Sequence, residues 1–163
     1  MKAMIFAAGL GTRLKPLTDT MPKALVPIAG KPLLEHIITK LIAAGFDEII
    51  VNVHHFADQI VDFLKSKNNF GIRIEISDET DLLLETGGGI KHASAFFDDG
   101  KPFLVHNVDI LSNLDLSDFY QTSLKNNGLA TLLVSERNSS RYFLFDDNAK
   151  LCFKQNLLIR ILI

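Results

Sequence analysis

Short apolar runs rich in β-branched or aromatic residues alternate along this chain with longer segments whose apolar residues recur at helical spacing. The short runs predict strands at residues 3–8, 48–53, 72–77, 103–106 and 130–134. The longer segments predict helices over residues 33–44, 57–64, 86–96 and 116–124. This alternation indicates an α/β fold, a Rossmann-like, mostly parallel sheet with helices on both faces.

One domain accounts for most of the chain. Its 163 residues, of which 47% are hydrophobic, can enclose one substantial core but not two ordinary domains. We therefore assign residues 1–151 to a single α/β domain. Residues 152–163 are mostly apolar, end in Ile161-Leu-Ile163 and contain no turn, cap or polar terminus. Because a sheet of this type does not end in such a segment, we expect a truncated fold with a tail of non-native sequence.

Charge and hydropathy exclude several classes of partner. Seventeen basic and nineteen acidic side chains give a net charge of −2, so no general positive field attracts nucleic acid or anionic lipid. No stretch approaches the roughly 20 apolar residues that cross a bilayer, and the N-terminus lacks a signal-peptide pattern. The single cysteine, Cys152, cannot form an internal disulfide, which is typical of a reducing compartment. We expect a cytoplasmic protein that binds neither nucleic acid nor a membrane.

A glycine-rich loop directly follows the first predicted strand, where open α/β sheets bind their ligands. Gly9 and Gly11 would let the backbone approach a phosphate closely. Two common motifs are excluded, because Leu14 stands where the dinucleotide fingerprint needs Gly or Ala, and Pro32 stands where the P-loop needs Ser or Thr. The loop is either a phosphate-binding loop of another kind or a tight turn whose basic side chains, including Arg13, are solvated.

A second glycine cluster, Glu85-Thr-Gly-Gly-Gly-Ile90, opens a predicted helix. Free N–H groups at a helix start, together with glycines, would permit the close approach of a flat or anionic group. A purely structural loop explains the same residues equally well.

The predicted strand at residues 103–106 leads into Asn107-Val-Asp109. A carboxylate at the end of a parallel strand can reach into the crevice where ligands bind. Mg²⁺ prefers one or two carboxylates together with phosphate oxygens and water, so Asp109 alone would be a sufficient protein anchor. The alternative is that Asp109 caps a turn or a helix. The five histidines show no metal-ligand spacing, and we interpret them as structural.

Four short motifs follow one another in a fixed order: Gly9-Leu-Gly-Thr-Arg13, Pro16-Leu-Thr18, Pro22-Lys23 and Gly30-Lys-Pro32. Together they resemble the signature of the sugar nucleotidyltransferases, also called nucleotide-sugar pyrophosphorylases. The resemblance covers residues 1–151 and implies a nucleotide-binding domain of the nucleotide-diphospho-sugar transferase type, here truncated. The segment at residues 85–90 is most similar to that of bacterial N-acetylmuramic acid 1-phosphate uridylyltransferases and of mannose-1-phosphate guanylyltransferase-like proteins, which favours UTP.

The resemblance implies a role for each motif residue. The nucleotide would be held by Ala8, Gly9, Gly11, Thr12, Arg13, Lys23, Thr86, Gly87 and Gly88. Asn107 would contact the sugar phosphate, and Asp109 would bind the cofactor Mg²⁺. The catalytic set would be Arg13, Lys23 and Asp109. Relatives usually carry a glycine at the position of Val108, whose β-branched side chain restricts the backbone beside Asn107.

The implied enzyme transfers a nucleoside monophosphate, with UMP favoured, from a nucleoside triphosphate to a sugar 1-phosphate and releases pyrophosphate, for nucleotide-sugar biosynthesis. Its partners would be UTP, the sugar 1-phosphate and, through the apolar tail, a second copy in a homodimer. In the family, the second metal-binding aspartate and most of the sugar pocket lie beyond the residues matched here, so we expect slow turnover or none. The alternative hypothesis is a catalytically impaired NTP-binding sensor or fragment.

Overall fold

The computed structural model describes residues 1–126, 128–134 and 144–152. Within these residues the strands are β1 Lys2–Phe6, β2 Pro27–Ile28, β3 Lys31–Pro32, β4 Glu48–Val53, β5 Arg73–Asp78, β6 Leu104–Asn107, β7 Leu144–Phe145 and β8 Leu151–Cys152. The helices are α1 Leu33–Ala43, α2 Ala57–Ser66, α3 Glu85–His92 and α4 Leu116–Asn126. Short 3-10 turns lie at Thr12–Leu14, Leu17–Asp19, Lys23–Leu25, Asn68–Gly71 and Ser94–Phe97.

The main sheet has four parallel strands in the order β5-β4-β1-β6. If only these four strands are numbered in sequence order, their order across the sheet is 3-2-1-4, as in a doubly wound α/β fold. The direction of winding reverses between β1 and β6, and open α/β sheets bind ligands at such a switch point. Phe6 pairs in register with Asn52 of β4 and Asn107 of β6, so the carboxyl ends of these three strands lie side by side.

Helices cover both faces of this sheet, as predicted. Successive strand residues point to opposite faces, and Ala3 belongs to one core while its neighbour Met4 belongs to another. The larger core includes fully buried side chains of α1, β4 and α2, namely Leu34, Ile37, Ile38, Leu41, Ile49, Val51 and Ile60. The smaller core contains Met4, Ile50, Ala93 and Phe97, with Ile90 of α3 packed against it. Each such aliphatic or aromatic side chain contributes on the order of 1.5–3 kcal/mol by its burial.

Most predicted elements are present, with small shifts in their bounds. Strands β1, β4, β5 and β6 begin and end within two residues of the predicted ranges. The predicted helix over residues 86–96 is wrong in its length, because it divides into α3 and the 3-10 turn Ser94–Phe97. Ala93 separates the two with φ −80° and ψ 4°, a conformation that leaves the α-helical region.

The predicted strand at residues 130–134 is wrong. These residues are irregular, and Leu132, Leu133 and Val134 are 44%, 39% and 43% exposed. A strand needs the hydrogen bonds of a neighbouring strand, and in the described part of the chain none pairs with this segment. The apolar composition of this segment therefore indicates β propensity, but no neighbouring strand in the described residues supplies the hydrogen bonds that a strand requires.

The chain divides into two compact units, Met1–Lys125 and Asn126–Ile163. The first contains the main sheet. In the second, β7 and β8 pair antiparallel, and Asp146 Oδ1 accepts hydrogen bonds from the N–H groups of Asn148 and Lys150 at 2.9 Å and 2.8 Å. The segment at residues 152–163 that we expected to be a non-native tail begins in β8, and from residue 153 onward it lies outside the described residues. Among the helices that the structure describes, none has the length and apolarity needed to cross a membrane.

Candidate active site

A cleft of about 300 Å³ opens at the switch point, beyond the carboxyl ends of β1, β4 and β6. Its lining consists of Phe6, Ala7, Ala8, Gly9, Lys23, Asn52, Glu79, Leu83, Glu85, Thr86, Asn107, Val108 and Asp109. All of these residues belong to the first compact unit, although they come from five separate stretches of sequence. The parallel sheet brings them together because the carboxyl ends of its strands share one edge.

Asn52 anchors the start of the first glycine-rich loop. Strand β1 ends at Phe6, so the N–H groups of Ala7 and Ala8 need partners outside the strand. Asn52 Oδ1 accepts hydrogen bonds from both, at 2.7 Å and 3.2 Å. Asn52 is only 2% exposed, so protein atoms and not water satisfy these groups. Ala8 lines the cleft, but its N–H group is already bonded to the protein.

Glu79 continues this network beneath the cleft. Its Oε1 accepts a hydrogen bond from Asn52 Nδ2 at 2.9 Å, and its Oε2 accepts one from the Leu84 N–H at 3.1 Å. The Glu79 N–H donates to the Val53 carbonyl at 2.8 Å. Glu79 is 2% exposed, and a buried carboxylate is tolerated only where such donors face it. Asn52 and Glu79 thus join β4, the segment after β5 and the start of α3.

Gly11 shapes the rest of the first loop. Its φ is +65°, and an added Cβ would lie 2.8 Å from Thr18 Cγ2, so a side chain is excluded by both conformation and space. The Gly11 carbonyl accepts hydrogen bonds from the Leu14 N–H at 2.8 Å and the Thr18 hydroxyl at 2.9 Å. This turn leaves Thr12 and Arg13 exposed, outside the cleft lining.

Lys23 and Asp109 meet at the cleft. An ion pair joins Lys23 Nζ to Asp109 Oδ2, although the two residues are 86 positions apart. The side chains are 19% and 39% exposed, so solvent screens the pair and it contributes little to stability. Each partner can instead face a ligand of opposite charge, an anion at Lys23 or a cation at Asp109.

The segment after β6 continues the sheet for one more residue. The Val108 N–H donates to the Phe6 carbonyl at 3.1 Å, and Val108 is 3% exposed within the larger core. Residues 108–109 then form a turn in which the Ile110 N–H donates to the Asn107 carbonyl at 3.3 Å, and Asn107, Val108 and Asp109 all line the cleft. Val108 is therefore part of the larger core and also part of the cleft wall beside Asn107.

His106 is a buried neutral group behind this segment. Burial lowers the pKa of His106, an effect partly opposed by its hydrogen bond to the Asn107 carbonyl. Lys40 lowers the pKa further and Asp109 raises it. The ring Nδ1 lies 2.7 Å from that carbonyl oxygen, so the neutral imidazole carries its proton on Nδ1 and donates it.

The three glycines of α3 have different surroundings. An added Cβ at Gly88 would lie 2.9 Å from Leu84 Cβ. At Gly89 it would lie 2.8 Å from Glu79 Oε1 and 3.2 Å from Asn52 Nδ2. At Gly87 it would meet nothing within 4 Å. Glycine at position 89 therefore lets α3 pack closely against Glu79 and Asn52, a Cβ at position 88 would crowd Leu84 at the start of the same helix, and position 87 faces open space.

The structure brings some of the predicted site residues together and leaves others apart. Six line the cleft: Ala8, Gly9, Lys23, Thr86, Asn107 and Asp109. Five lie outside its lining: Gly11, Thr12, Arg13, Gly87 and Gly88. Thr12 and Arg13 follow the Gly11 turn and are exposed, and Gly88 lies against Leu84, which is also outside the lining.

Sequence reasoning missed several lining residues, above all Asn52 and Glu79. Asn52 had a usable signal, since it is a polar residue inside the apolar strand β4. Glu85 is also in the lining and has a φ of +57°, which is uncommon for a residue other than glycine. Such backbone strain is enriched at ligand sites, but it cannot be read from sequence.

The charges of the cleft determine what can enter it. Three carboxylates line it, those of Glu79, Glu85 and Asp109, against one ammonium, that of Lys23. A polyphosphate would therefore need an additional cation to bind here. Among the described residues, no group of three or more His, Cys, Asp or Glu side chains converges as a metal site. The donor set instead suits an ion held by one carboxylate and by the oxygens of its ligand.

A family model described as Nucleotidyl transferase matches residues 2–146, which include the whole cleft. The chain belongs to the nucleotidyl transferase family. This confirms the resemblance inferred from the glycine-rich loop and the Pro-Lys pair.

Two curated relatives of this chain share the name N-acetylmuramate alpha-1-phosphate uridylyltransferase. The one from Caulobacter vibrioides is 51% identical over 109 residues, which cover 66% of this chain and 45% of the relative. The one from Neisseria meningitidis serogroup B is 46% identical over 123 residues, which cover 76% of this chain and 53% of the relative. The chain thus spans about half the length of the curated relatives it matches.

A solved structure gives the same result for the fold. HddC from Yersinia pseudotuberculosis, complexed with GMP-PN, superposes with a TM-score of 0.67 and 36% sequence identity. The match covers 76% of this chain and 54% of HddC. The predicted fold, a mostly parallel α/β sheet of the nucleotide-diphospho-sugar transferase type, is confirmed.

Proposed function

We propose that this chain is the nucleotide-binding part of an enzyme that transfers UMP from UTP to a sugar 1-phosphate and releases pyrophosphate. One observation carries the proposal: an ammonium, Lys23, and a carboxylate, Asp109, meet at the switch point in the same cleft as the first glycine-rich loop. Family membership supports the reaction type. The names of the two bacterial relatives support UTP and an amino-sugar acid phosphate as acceptor.

The cofactor in this proposal is Mg²⁺, and Asp109 would hold it. Three lining carboxylates against one ammonium make the cleft unsuitable for a bare triphosphate, and a divalent ion removes that conflict. When bound, Mg²⁺ neutralises phosphate charge and polarises the phosphoryl oxygens. Lys23 would then leave its ion pair with Asp109 and face the phosphates.

The remaining residues position the reactants. Gly9 allows the backbone to approach the phosphates, because an added Cβ there meets nothing within 4 Å and the space is open to a ligand. Thr86 and the start of α3 would hold the base, with Gly87 beside it. Arg13 would meet the distal phosphates where they leave the cleft, and Asn107 would donate its amide to the sugar phosphate.

In the reaction, an oxygen of the sugar 1-phosphate forms a bond to the α-phosphorus while the bond to the β-phosphate oxygen breaks. The electron pair of that bond leaves with pyrophosphate. No general base is needed, since the attacking oxygen is already ionised at neutral pH. The chain contributes by alignment and by charge neutralisation at Lys23, which is where catalysis between two polyanions gains most.

The test is calorimetric titration with UTP, CTP, GTP, ATP and dTTP in the presence of Mg²⁺, together with an assay of pyrophosphate release. We expect UTP to bind best, and Lys23→Ala and Asp109→Ala to weaken binding at least about tenfold through loss of a charge-assisted contact. Lys15→Ala is the matched control, because Lys15 pairs with Asp19 outside the cleft lining. Equal binding by wild type and both cleft variants contradicts the proposal. Sedimentation at several concentrations tests the expected homodimer.

A further inference from the structure

Two segments face the cleft from different elements of the fold. The first, residues 7–9, follows β1, and the second, residues 84–86, opens α3. Both segments are fully described, and the structure records no hydrogen bond directly between them. Under the proposed function they serve different parts of the nucleotide, the phosphates and the base. Their separation must therefore be held by something else.

A chain of side-chain hydrogen bonds spans the gap. It runs from the Ala7 and Ala8 N–H groups to Asn52 Oδ1, from Asn52 Nδ2 to Glu79 Oε1, and from Glu79 Oε2 to the Leu84 N–H. Its distances lie between 2.7 Å and 3.2 Å. Each polar atom named is used in the direction that its chemistry allows, with amide N–H groups donating and carbonyl and carboxylate oxygens accepting.

The surroundings make this chain of hydrogen bonds rigid. Asn52 and Glu79 are each 2% exposed, so water does not compete for their polar atoms. Helix α3 lies directly against the pair, since an added Cβ at Gly89 would come within 2.8 Å of Glu79 Oε1. The helix start can neither move closer to β4 nor lose its bond to Glu79 without leaving a buried group unsatisfied.

We propose that Asn52 and Glu79 are positioning residues that act as one unit and fix the span between the first loop and the start of α3. Neither contacts the reacting atoms in this role. The unit acts on affinity through the loops, and in that respect the inference rests on the proposed function. It also makes a claim that needs no nucleotide: a change at Glu79 alters the first loop, although Glu79 makes no hydrogen bond to Ala7 or Ala8.

Exchange of the amide and the carboxylate between the two positions tests this claim. In the double variant Asn52→Asp with Glu79→Gln, the carboxylate at position 52 accepts from the first loop and from the new amide N–H group. The amide oxygen at position 79 still accepts from the Leu84 N–H. Every donor again faces an acceptor. Each single variant interrupts the chain of hydrogen bonds instead. Asn52→Asp places two carboxylates next to each other. Glu79→Gln either turns its amide N–H toward the Asn52 amide N–H or removes the acceptor of the Leu84 N–H.

The control is Ser77→Ala. Ser77 is also buried, at 5% exposed, and its Oγ lies 3.2 Å from His92 Nδ1 at the far end of α3. The Ser77→Ala substitution therefore perturbs the same helix and the same layer without changing the chain of hydrogen bonds through Asn52 and Glu79.

The first measurement is hydrogen–deuterium exchange of the free protein. We expect Glu79→Gln to speed exchange at Ala7 and Ala8 as well as at Leu84, by about tenfold or more, with recovery in the double variant. Ser77→Ala is expected to leave Ala7 and Ala8 unchanged. Faster exchange at Leu84 alone in Glu79→Gln overturns the proposal, because the residue then acts only on its direct partner.

The second measurement is UTP affinity with Mg²⁺ at a temperature where thermal melts show every variant folded. We expect each single variant to lose about tenfold and the double variant to return to within about threefold of wild type. Single variants that bind like wild type, or a double variant no better than the singles, contradict the inference. If wild type binds no nucleotide, the proposed function fails and the exchange experiment alone decides. If Asn52→Asp does not fold, the comparison of Glu79→Gln with the double variant carries the same test.

Discussion

Two glycines of α3, Gly87 and Gly89, offer a sharp test of how this helix packs on the sheet. Gly87→Ala and Gly89→Ala add the same methyl group to the same helix. At Gly87 the new Cβ meets nothing within 4 Å. At Gly89 it lies 2.8 Å from Glu79 Oε1, 3.2 Å from Asn52 Nδ2 and 3.3 Å from Phe6 Cε1. Glu79 Oε1 and Asn52 Nδ2 are the ends of buried, hydrogen-bonded side chains, so the new methyl group must displace either these hydrogen bonds or the helix.

The expected magnitude follows from two opposing effects. Alanine in a helix interior is more favourable than glycine by about 0.8–1.0 kcal/mol, and both variants gain this amount. Overpacking a dense interior costs about 1–3 kcal/mol, and only Gly89→Ala incurs it. The propensity effect cancels in the comparison. We therefore expect Gly87→Ala to unfold with about 1–3 kcal/mol more free energy than Gly89→Ala.

The assay is urea denaturation followed by far-ultraviolet circular dichroism, with thermal melts as a second measure. For a chain of this size, each kcal/mol corresponds to about 2–4 °C in the melting temperature. Equal stability of the two variants, or a more stable Gly89→Ala, refutes the packing of α3 described above. UTP affinity adds an independent result, because we expect Gly87→Ala to lose affinity while it gains stability.

Three further predictions concern the loop, the core and the proposed metal ligand. Gly11→Ala is expected to destabilise the chain by about 1–2 kcal/mol more than Gly30→Ala in urea titrations, because both have positive φ but only Gly11 lacks space for a Cβ. Burial lowers the pKa of His106 in the folded chain. As the pH falls below about 6.5, the unfolded chain therefore binds more protons than the folded chain, and the free energy of unfolding decreases. His106→Asn should reduce this dependence of stability on pH between about pH 8 and pH 5 in the same titrations. Asp109→Asn should abolish the Mg²⁺-dependent part of UTP affinity in calorimetry while leaving Mg²⁺-free binding unchanged or stronger, since Lys23 is released.

The sheet was predictable because strands buried on both faces are almost continuously apolar. Strand β4 has five buried residues in succession, and its predicted range, 48–53, equals the observed one. The same pattern misled at residues 130–134, where composition indicates a strand but pairing decides. Local sequence reports propensity, whereas pairing depends on residues far along the chain.

The candidate site was predictable only in part, for a similar reason. The order of glycines, arginine and Pro-Lys identified the family, and Lys23 and Asp109 came from motif residues alone. Nothing local showed that Arg13 would lie outside the cleft lining, since the residue follows the Gly11 turn that Thr18 closes. The link between Asn52 and Glu79 joins residues 27 positions apart and becomes visible only when β4 and β5 are adjacent.

The most direct test of the central claim is a map of backbone amide chemical shifts on addition of UTP and Mg²⁺ to the isotope-labelled chain. We expect the largest changes at residues 8–9, 23, 85–87 and 107–109, the stretches that meet at the ends of β1 and β6. Changes confined to other surfaces, or none at saturating UTP, contradict a nucleotide site in this cleft.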